Sequence, residues 1–246
     1  MKKLFTQLSL ACALLVPIAA SAFVMGPTSP GKWGSPTMGT GATVTWSLMA
    51  TGTSCTAEGG GCSVTALQDF MPSGFLTHIV NAFASWSAVA NINFTQVADD
   101  GAAFNDATTS GDIRIGAHTF DGLGGTLAHG FYPPANGNTA AGDIHLDTAE
   151  QWALAFADPG FSIFQVMAHE IGHAIGLDHT NVTNSLMNPF YTELFSGVQA
   201  DDAAGAQFIY GARVSTPVSE PTTLALLALA LVGLAVRRKS AASKSS

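Results

Sequence analysis

His169-Glu170-Ile171-Gly172-His173-Ala174-Ile175-Gly176-Leu177-Asp178-His179 is the stretch on which the reading of this chain turns. Residues i and i+4 share one face of an α-helix, so His169 and His173 present two imidazoles to one point. A third imidazole cannot join them from the same face in a tetrahedral arrangement. Gly176 removes the difficulty. Without a Cβ it accepts a positive φ, so the helix can end there and the chain can carry His179 back. Three imidazoles with a fourth position open describe a catalytic rather than a structural zinc. Glu170 is not needed as a ligand. A carboxylate beside a zinc-activated water can take its proton and pass it to a leaving group, so Glu170 is the expected general base. His-Glu-x-x-His alone also occurs on helices that bind nothing. Here three of the chain's seven histidines fall within eleven residues, which core packing does not explain.

The surroundings of this stretch delimit it. Ser162 and Gln165 have capping-box spacing, so the helix is expected to start after Ser162 and to end at Gly176 as its C′ residue. Ser185-Leu186-Met187-Asn188-Pro189 follows, with Met187 eight positions beyond His179. This looks like the Met-turn that accompanies the long zinc motif, with Met187 as an apolar floor beneath the metal. Upstream, apolar residues recur at helical spacing over 73–89, and strands are expected over 42–49, 92–97, 112–117, 127–132 and 143–147. A last helix is expected from Ala200 to Tyr210, with Asp201 and Asp202 in its first turn. His78 falls on the first helix and reads as a partly exposed helix residue. Residues 23–41, rich in Gly, Pro, Ser and Thr, read as a lead-in without regular structure. Strands first and helices later give an α+β domain.

Composition narrows the partners. The chain has 246 residues, 47% hydrophobic and 11% charged, enough apolar content for a real core. Six of its nine Lys and Arg lie at the two ends, and only Lys32, Arg114 and Arg213 stand between. The middle is therefore acidic, which argues against nucleic acid as a partner. Lys2-Lys3, an apolar stretch over Leu8–Ala19 and Ala20-Ser21-Ala22 read as a secretory signal, with an uncleaved anchor as the alternative. Export permits disulfides. Cys12 leaves with the signal, and Cys55 and Cys62 flank Thr-Ala-Glu-Gly-Gly-Gly, most simply as a local disulfide, with two free thiols as the alternative.

With both motifs in view, residues 32–212 resemble the matrixin family of metzincin metallopeptidases. Phe120 to His129 and Gly142 to Trp152 match that family closely; Lys32-Trp33, Ala82 to Trp86 and Gly111 to Ile115 match more loosely. The resemblance implies a zincin-like α+β fold: a twisted mixed β-sheet, a long zinc-binding helix, a Met-turn and a C-terminal helix. It also implies a calcium site made by Asp121, backbone around Gly122, Gly124 and Thr126, and the carboxylates of Asp147 and Glu150, where hard oxygen ligands suit Ca2+. A second, structural zinc is implied at His129 and His145, with His118 as a third ligand. The family's His-x-Asp pair is incomplete here, because only Asp121 follows His118 and the spacing is wrong. An incomplete or absent second zinc and a filled one both fit. Matrixins often carry a propeptide whose Cys caps the zinc; residues 23–41 contain no Cys, Asp or Glu to play that part.

At the other end, Ser219-Glu220-Pro221, the apolar run Thr222–Val236 and Arg237-Arg238-Lys239 resemble the PEP-CTERM sorting signal of Gram-negative bacteria, with Ser219 in place of the first proline. Such tails are removed by an exosortase-like processing enzyme; a permanent C-terminal anchor is the alternative reading. The expected organisation is a signal peptide at 1–22, a lead-in at 23–41, a matrixin-like peptidase domain at 42–212, a linker at 213–218 and a sorting tail at 219–246. The expected product is a monomeric zinc endopeptidase at the cell surface or outside it, held briefly at the inner membrane by its tail, with protein or peptide substrates. The competing function is a non-catalytic surface or biofilm-matrix protein that keeps the peptidase fold. Retention of Glu170 and all three histidines favours the enzyme. Phe190 and Tyr191 are expected to wall the pocket beyond the scissile bond.

Overall fold

The computed structural model describes residues 22–133 and 140–213. Cys12, the rest of the expected signal and the expected sorting tail lie outside the described residues.

Strand β1 is Val24–Met25, β2 is Ala42–Leu48, β3 is Ile92–Gln96, β4 is Ile113–His118, β5 is Ala128–Gly130 and β6 is Ile144–Asp147. The central sheet has the order β3-β2-β4-β6-β5. Its first three pairings are parallel, and β5 closes one edge antiparallel to β6. The sheet is therefore mixed, as the resemblance implies. Two short parallel strands, β7 (Trp152–Ala153) and β8 (Phe161–Ser162), lead into the zinc-motif helix.

Three helices follow from local signals. Helix α1, Phe75–Val89, buries Ile79, Ala82, Phe83 and Trp86 at helical spacing. Helix α2, Ile163–Ala174, starts where Ser162 Oγ accepts the N–H of Gln165. Helix α3, Ala200–Tyr210, has the boundaries read from sequence, with a capping box between Gln199 and Asp202. Trp86 is fully buried and donates its indole N–H to the Ala168 carbonyl at 2.8 Å, locking α1 onto α2. A tryptophan so placed, truncated to Ala, costs about 3–5 kcal/mol.

The end of α2 is held from three sides. A helix leaves its last carbonyls without intrahelical partners. Here Gly176 N–H donates to His173 O at 2.9 Å, the Trp33 indole to Ala174 O at 2.7 Å and the Tyr210 hydroxyl to Ile175 O at 2.9 Å. Gly176 sits at φ +108°, and a Cβ there would stand 2.1 Å from the Gly31 carbonyl oxygen. The position therefore requires glycine twice over, for conformation and for room.

One expectation needs correction. Residues 23–41 are not wholly without regular structure. Val24–Met25 pairs antiparallel with β9, Leu177–Asp178, inside the zinc motif itself. The same segment is tied further by Gly26 N–H to Gly176 O at 2.9 Å, Thr180 Oγ to Ala22 O at 3.0 Å and Ala22 N–H to Asp201 Oδ1 at 2.8 Å. A two-residue strand is too short to show periodicity, and its partner lies about 150 positions on. Lys32, in the same segment, is fully buried; its ammonium donates to the carbonyls of Trp33, Ser35 and Thr40 and lies 5.1 Å from the Tyr210 ring centre.

Candidate active site and second metal centre

Helix α2 presents His169 and His173 from successive turns, and the Gly176 turn brings His179 to them. His179 Nε2 lies 3.1 Å from His169 Nε2 and 3.2 Å from His173 Nε2. Nitrogens bound tetrahedrally at 2.0–2.1 Å from one centre stand about 3.3 Å apart. The opposite ring nitrogens are spoken for: His169 Nδ1 lies 2.7 Å from Leu186 O, and His173 Nδ1 lies 2.8 Å from Leu177 O. Donation to those carbonyls fixes the tautomer in which Nε2 carries the free lone pair, which is what a metal ligand needs. Burial, together with the neighbouring imidazoles, pushes His169 down to about 3; burial likewise lowers His173 to about 4. In the metal-free chain both rings are thus neutral and ready to coordinate at neutral pH. The donor set fits zinc.

Glu170 is buried, and its Oε2 has no hydrogen-bond partner. Burial raises its pKa to about 8. Such an isolated carboxyl in a cleft is a mark of function rather than of stability. Across from it, Gly130 of β5 approaches so closely that a Cβ there would meet the Glu170 carbonyl oxygen at 2.8 Å. Beneath, a Cβ on Gly172 would meet Met187 Sδ at 2.3 Å, so the glycine of the motif and the methionine of the turn share one space. The cleft over these residues encloses about 750 Å³ and is lined on one side by Leu127–Gly130 and on the other by Asn188–Tyr191. Phe190, 79% exposed, and Tyr191 both line it.

The expected second centre comes together, with an addition. His118, His129 and His145, from β4, β5 and β6, converge, and Glu58 joins them. Glu58 Oε1 lies 3.1 Å from His118 Nε2 and 2.6 Å from His129 Nε2; Oε2 lies 2.5 Å from His145 Nδ1. Burial raises the Glu58 carboxyl, but contacts with the His129 and His145 imidazoles outweigh it and hold the group well below the usual carboxylate range. Glu58 sits in the loop between Cys55 and Cys62, which form the expected disulfide. Sequence reasoning missed Glu58, although it is the lone acid of that Gly-rich loop.

The expected calcium residues are arranged in part. The Asp121 carboxylate accepts the Thr126 N–H and hydroxyl, and Glu150 Oε1 accepts the N–H groups of Gly124 and Gly125. Gly122 and Gly124 take positive φ, +93° and +79°. Asp147 Oδ2 and Glu150 Oε2 are buried without hydrogen-bond partners. Among the described residues, however, these three carboxylates do not gather their ligand atoms within 4.8 Å as the two histidine groups do.

Residues 64–211 match the model of the matrixin peptidases. The chain belongs to the matrixin family. This matrixin is 37% identical over 154 residues to karilysin of Tannerella forsythia, 38% over 150 to stromelysin-3 of Rattus norvegicus and 40% over 147 to interstitial collagenase of Bos taurus. The matches cover 58–59% of this matrixin but only 29–30% of those relatives, so it spans less than a third of their length. Residues 217–239 match the PEP-CTERM protein-sorting motif, which indicates export and sorting in Gram-negative bacteria. Among the described residues, no helix is long and apolar enough to cross a membrane.

Proposed function

We propose that this matrixin is an exported zinc endopeptidase in which His169, His173 and His179 hold the catalytic zinc and Glu170 is the general base. The convergence of three Nε2 atoms beside a buried, unpartnered carboxylate carries this reading. When bound, the zinc supplies a Lewis acid for the attacking water and the scissile carbonyl. Glu170 takes the proton of the water and returns it to the departing nitrogen. Its burial without a hydrogen-bond partner for Oε2 leaves that carboxylate free to engage the water.

The substrate is an extended peptide laid along β5. Among the described residues that strand pairs only with β6, so its outer edge offers backbone groups to an added strand. The side chain beyond the scissile bond enters between α2 and the segment carrying Phe190 and Tyr191, which favours an apolar residue there. His118, His129 and His145 form a second, structural zinc site. Asp121, Asp147 and Glu150, with backbone carbonyls of Gly122, Gly124 and Thr126, form a calcium site once a cation draws them together. The peptidase domain takes in β1 and thus begins ahead of residue 42. The sorting tail is cut by an exosortase-like enzyme after brief anchoring at the inner membrane.

A peptide-library cleavage profile of the exported protein, with and without a zinc chelator, tests the activity. Cleavage with an apolar preference after the scissile bond, abolished by chelator and restored by zinc, is the expected result. No cleavage of any library peptide by the zinc-loaded protein would reverse it.

A further inference from the structure

Glu58 and both cysteines lie ahead of residue 64, where the match to the matrixin peptidases begins. The loop they form is Cys55-Thr-Ala-Glu-Gly-Gly-Gly-Cys62. Three consecutive glycines give such a loop wide conformational freedom when it is open. Here it is fixed at its base. Cys55 is fully buried against Met49, Val64, Phe104 and Ala140. Its N–H donates to Cys62 O at 3.2 Å, and Glu58 N–H donates back to Cys55 O at 2.9 Å. The resulting turn aims the Glu58 side chain across three strands, where one carboxylate meets all three imidazoles at 2.5–3.1 Å.

Those four residues make a poor ion cluster on their own. One carboxylate balances one imidazolium, not three, and His145 is fully buried with its Nε2 unpartnered. They make a good ligand set. Each offers one donor atom, all within 4.8 Å of one another. Three imidazole nitrogens and one carboxylate oxygen are a donor set that tetrahedral zinc accepts, and four protein ligands leave no position for substrate.

We propose that Glu58 is the fourth ligand of a closed zinc site with His118, His129 and His145, and that the Cys55–Cys62 disulfide holds this ligand in place. The proposal rests on the reading of the three histidines as a metal site and adds the residue that completes it and the bond that positions it. The chain thereby closes, from a different loop, the gap left by the wrongly spaced Asp121. The site would pin β5 to β4, β6 and the 55–62 loop, and β5 carries Gly130 against Glu170.

The test uses the exported full chain with His169→Ala and His173→Ala, which leaves the second site as the one intact ligand group of this kind among the described residues. Zinc content is measured by mass spectrometry, and zinc release is followed with a colorimetric chelator. One zinc per chain is expected in this parent. Adding Glu58→Gln should speed release about 10–100-fold, and adding Cys55→Ser with Cys62→Ser about tenfold, in the range that supporting residues of metal sites command. A parent that holds no zinc overturns both the metal-site reading and this proposal. A parent that holds zinc but releases it no faster with Glu58→Gln overturns the Glu58 assignment alone, and unchanged release in the cysteine variant overturns the role of the disulfide. Should the variants fail to fold, a zinc-edge anomalous map of wild-type crystals decides. A peak about 2.0–2.2 Å from a Glu58 oxygen supports the assignment, and a peak on the histidines with Glu58 turned away overturns it.

Discussion

The backbone N–H of Met187 donates to the Asp202 carboxylate at 3.1 Å. The same carboxylate accepts Leu186 N–H and Gln199 N–H, each at 2.8 Å, and the Ser185 hydroxyl. Leu186 O in turn accepts from His169. One fully buried acid on α3 thus fixes the turn that orients His169, a zinc ligand under the proposed function. Replacing it with alanine leaves the Leu186 N–H and the Ser185 hydroxyl buried without this acceptor, while Met187 N–H keeps Ser185 Oγ, at a cost of about 2 kcal/mol or more. Chemical denaturation of Asp202→Ala should show this loss, and zinc should leave the variant faster. Unchanged stability would remove Asp202 from this role.

Glu170→Ala should lower kcat by about 10²–10⁴ while the zinc content stays at the wild-type level, because three histidines suffice to hold the metal. Turnover assays paired with metal analysis check both halves. Full turnover in the variant would end the general-base assignment, and loss of zinc would assign Glu170 to the metal site as well.

The buried Glu170 carboxyl also sets a pH dependence in the metal-free chain. Burial lifts its folded pKa to about 8, above the ordinary 4.5, so the folded state holds a proton that the unfolded state has already lost. Stability is therefore lost as pH rises through that window, at a slope of about 1.4 kcal/mol per pH unit. His169 and His173 act oppositely, because their lowered values cost stability as pH falls. Comparing chelated wild type with Glu170→Gln cancels the histidines. The variant should match wild type near pH 4.5 and grow steadily more stable towards pH 8. A difference that does not vary with pH would contradict the buried carboxyl.

Calcium should stabilise the protein. Asp147 Oδ2 and Glu150 Oε2 are buried without partners, and a cation would satisfy both. At calcium one hundred times its dissociation constant the gain is about 2.7 kcal/mol, or about 5–10 °C in Tm. Thermal melts in calcium and in a calcium-selective chelator, with zinc kept saturating, measure it. Asp147→Asn should abolish most of the shift, and equal melting temperatures in wild type would exclude the site.

The mature protein should end near Pro221. Arg237, Arg238 and Lys239 favour the cytoplasmic side, which leaves Glu220-Pro221 at the outer boundary of the membrane, within reach of a membrane-embedded processing enzyme. Intact-mass measurement of protein from its native host decides the matter. A mass that includes Thr222–Val236 would favour a permanent anchor.

What was legible in the sequence was local. The Ser162 cap, the i, i+4 histidines and the Gly176 turn are all encoded within fifteen residues, and the structure places them as read. Helix α3 was equally plain from its acidic first turn. What was not legible was long-range. Glu58 is 60 positions from His118 and 87 from His145, and no spacing rule connects them. Its only signal was chemical: a solitary carboxylate in a glycine loop, in a chain with three histidines one ligand short. Lys32 escaped for a related reason. A lysine in a Gly-rich segment reads as solvated, and only the fold supplies the three carbonyls that take its ammonium inside.

The pairing of Val24–Met25 with Leu177–Asp178 has a bearing on timing. A chain threaded outward amino end first presents β1 at once, but β1 has nothing to bind until the third histidine's loop has followed it. Tyr210, which ties down the end of α2, arrives later still. For most of its passage the nascent chain therefore lacks the pairing that holds the loop of His179. Under the proposed peptidase function, the histidine cluster is completed only when almost all of residues 22–210 are clear of the export machinery, a delay that comes from the order of residues alone.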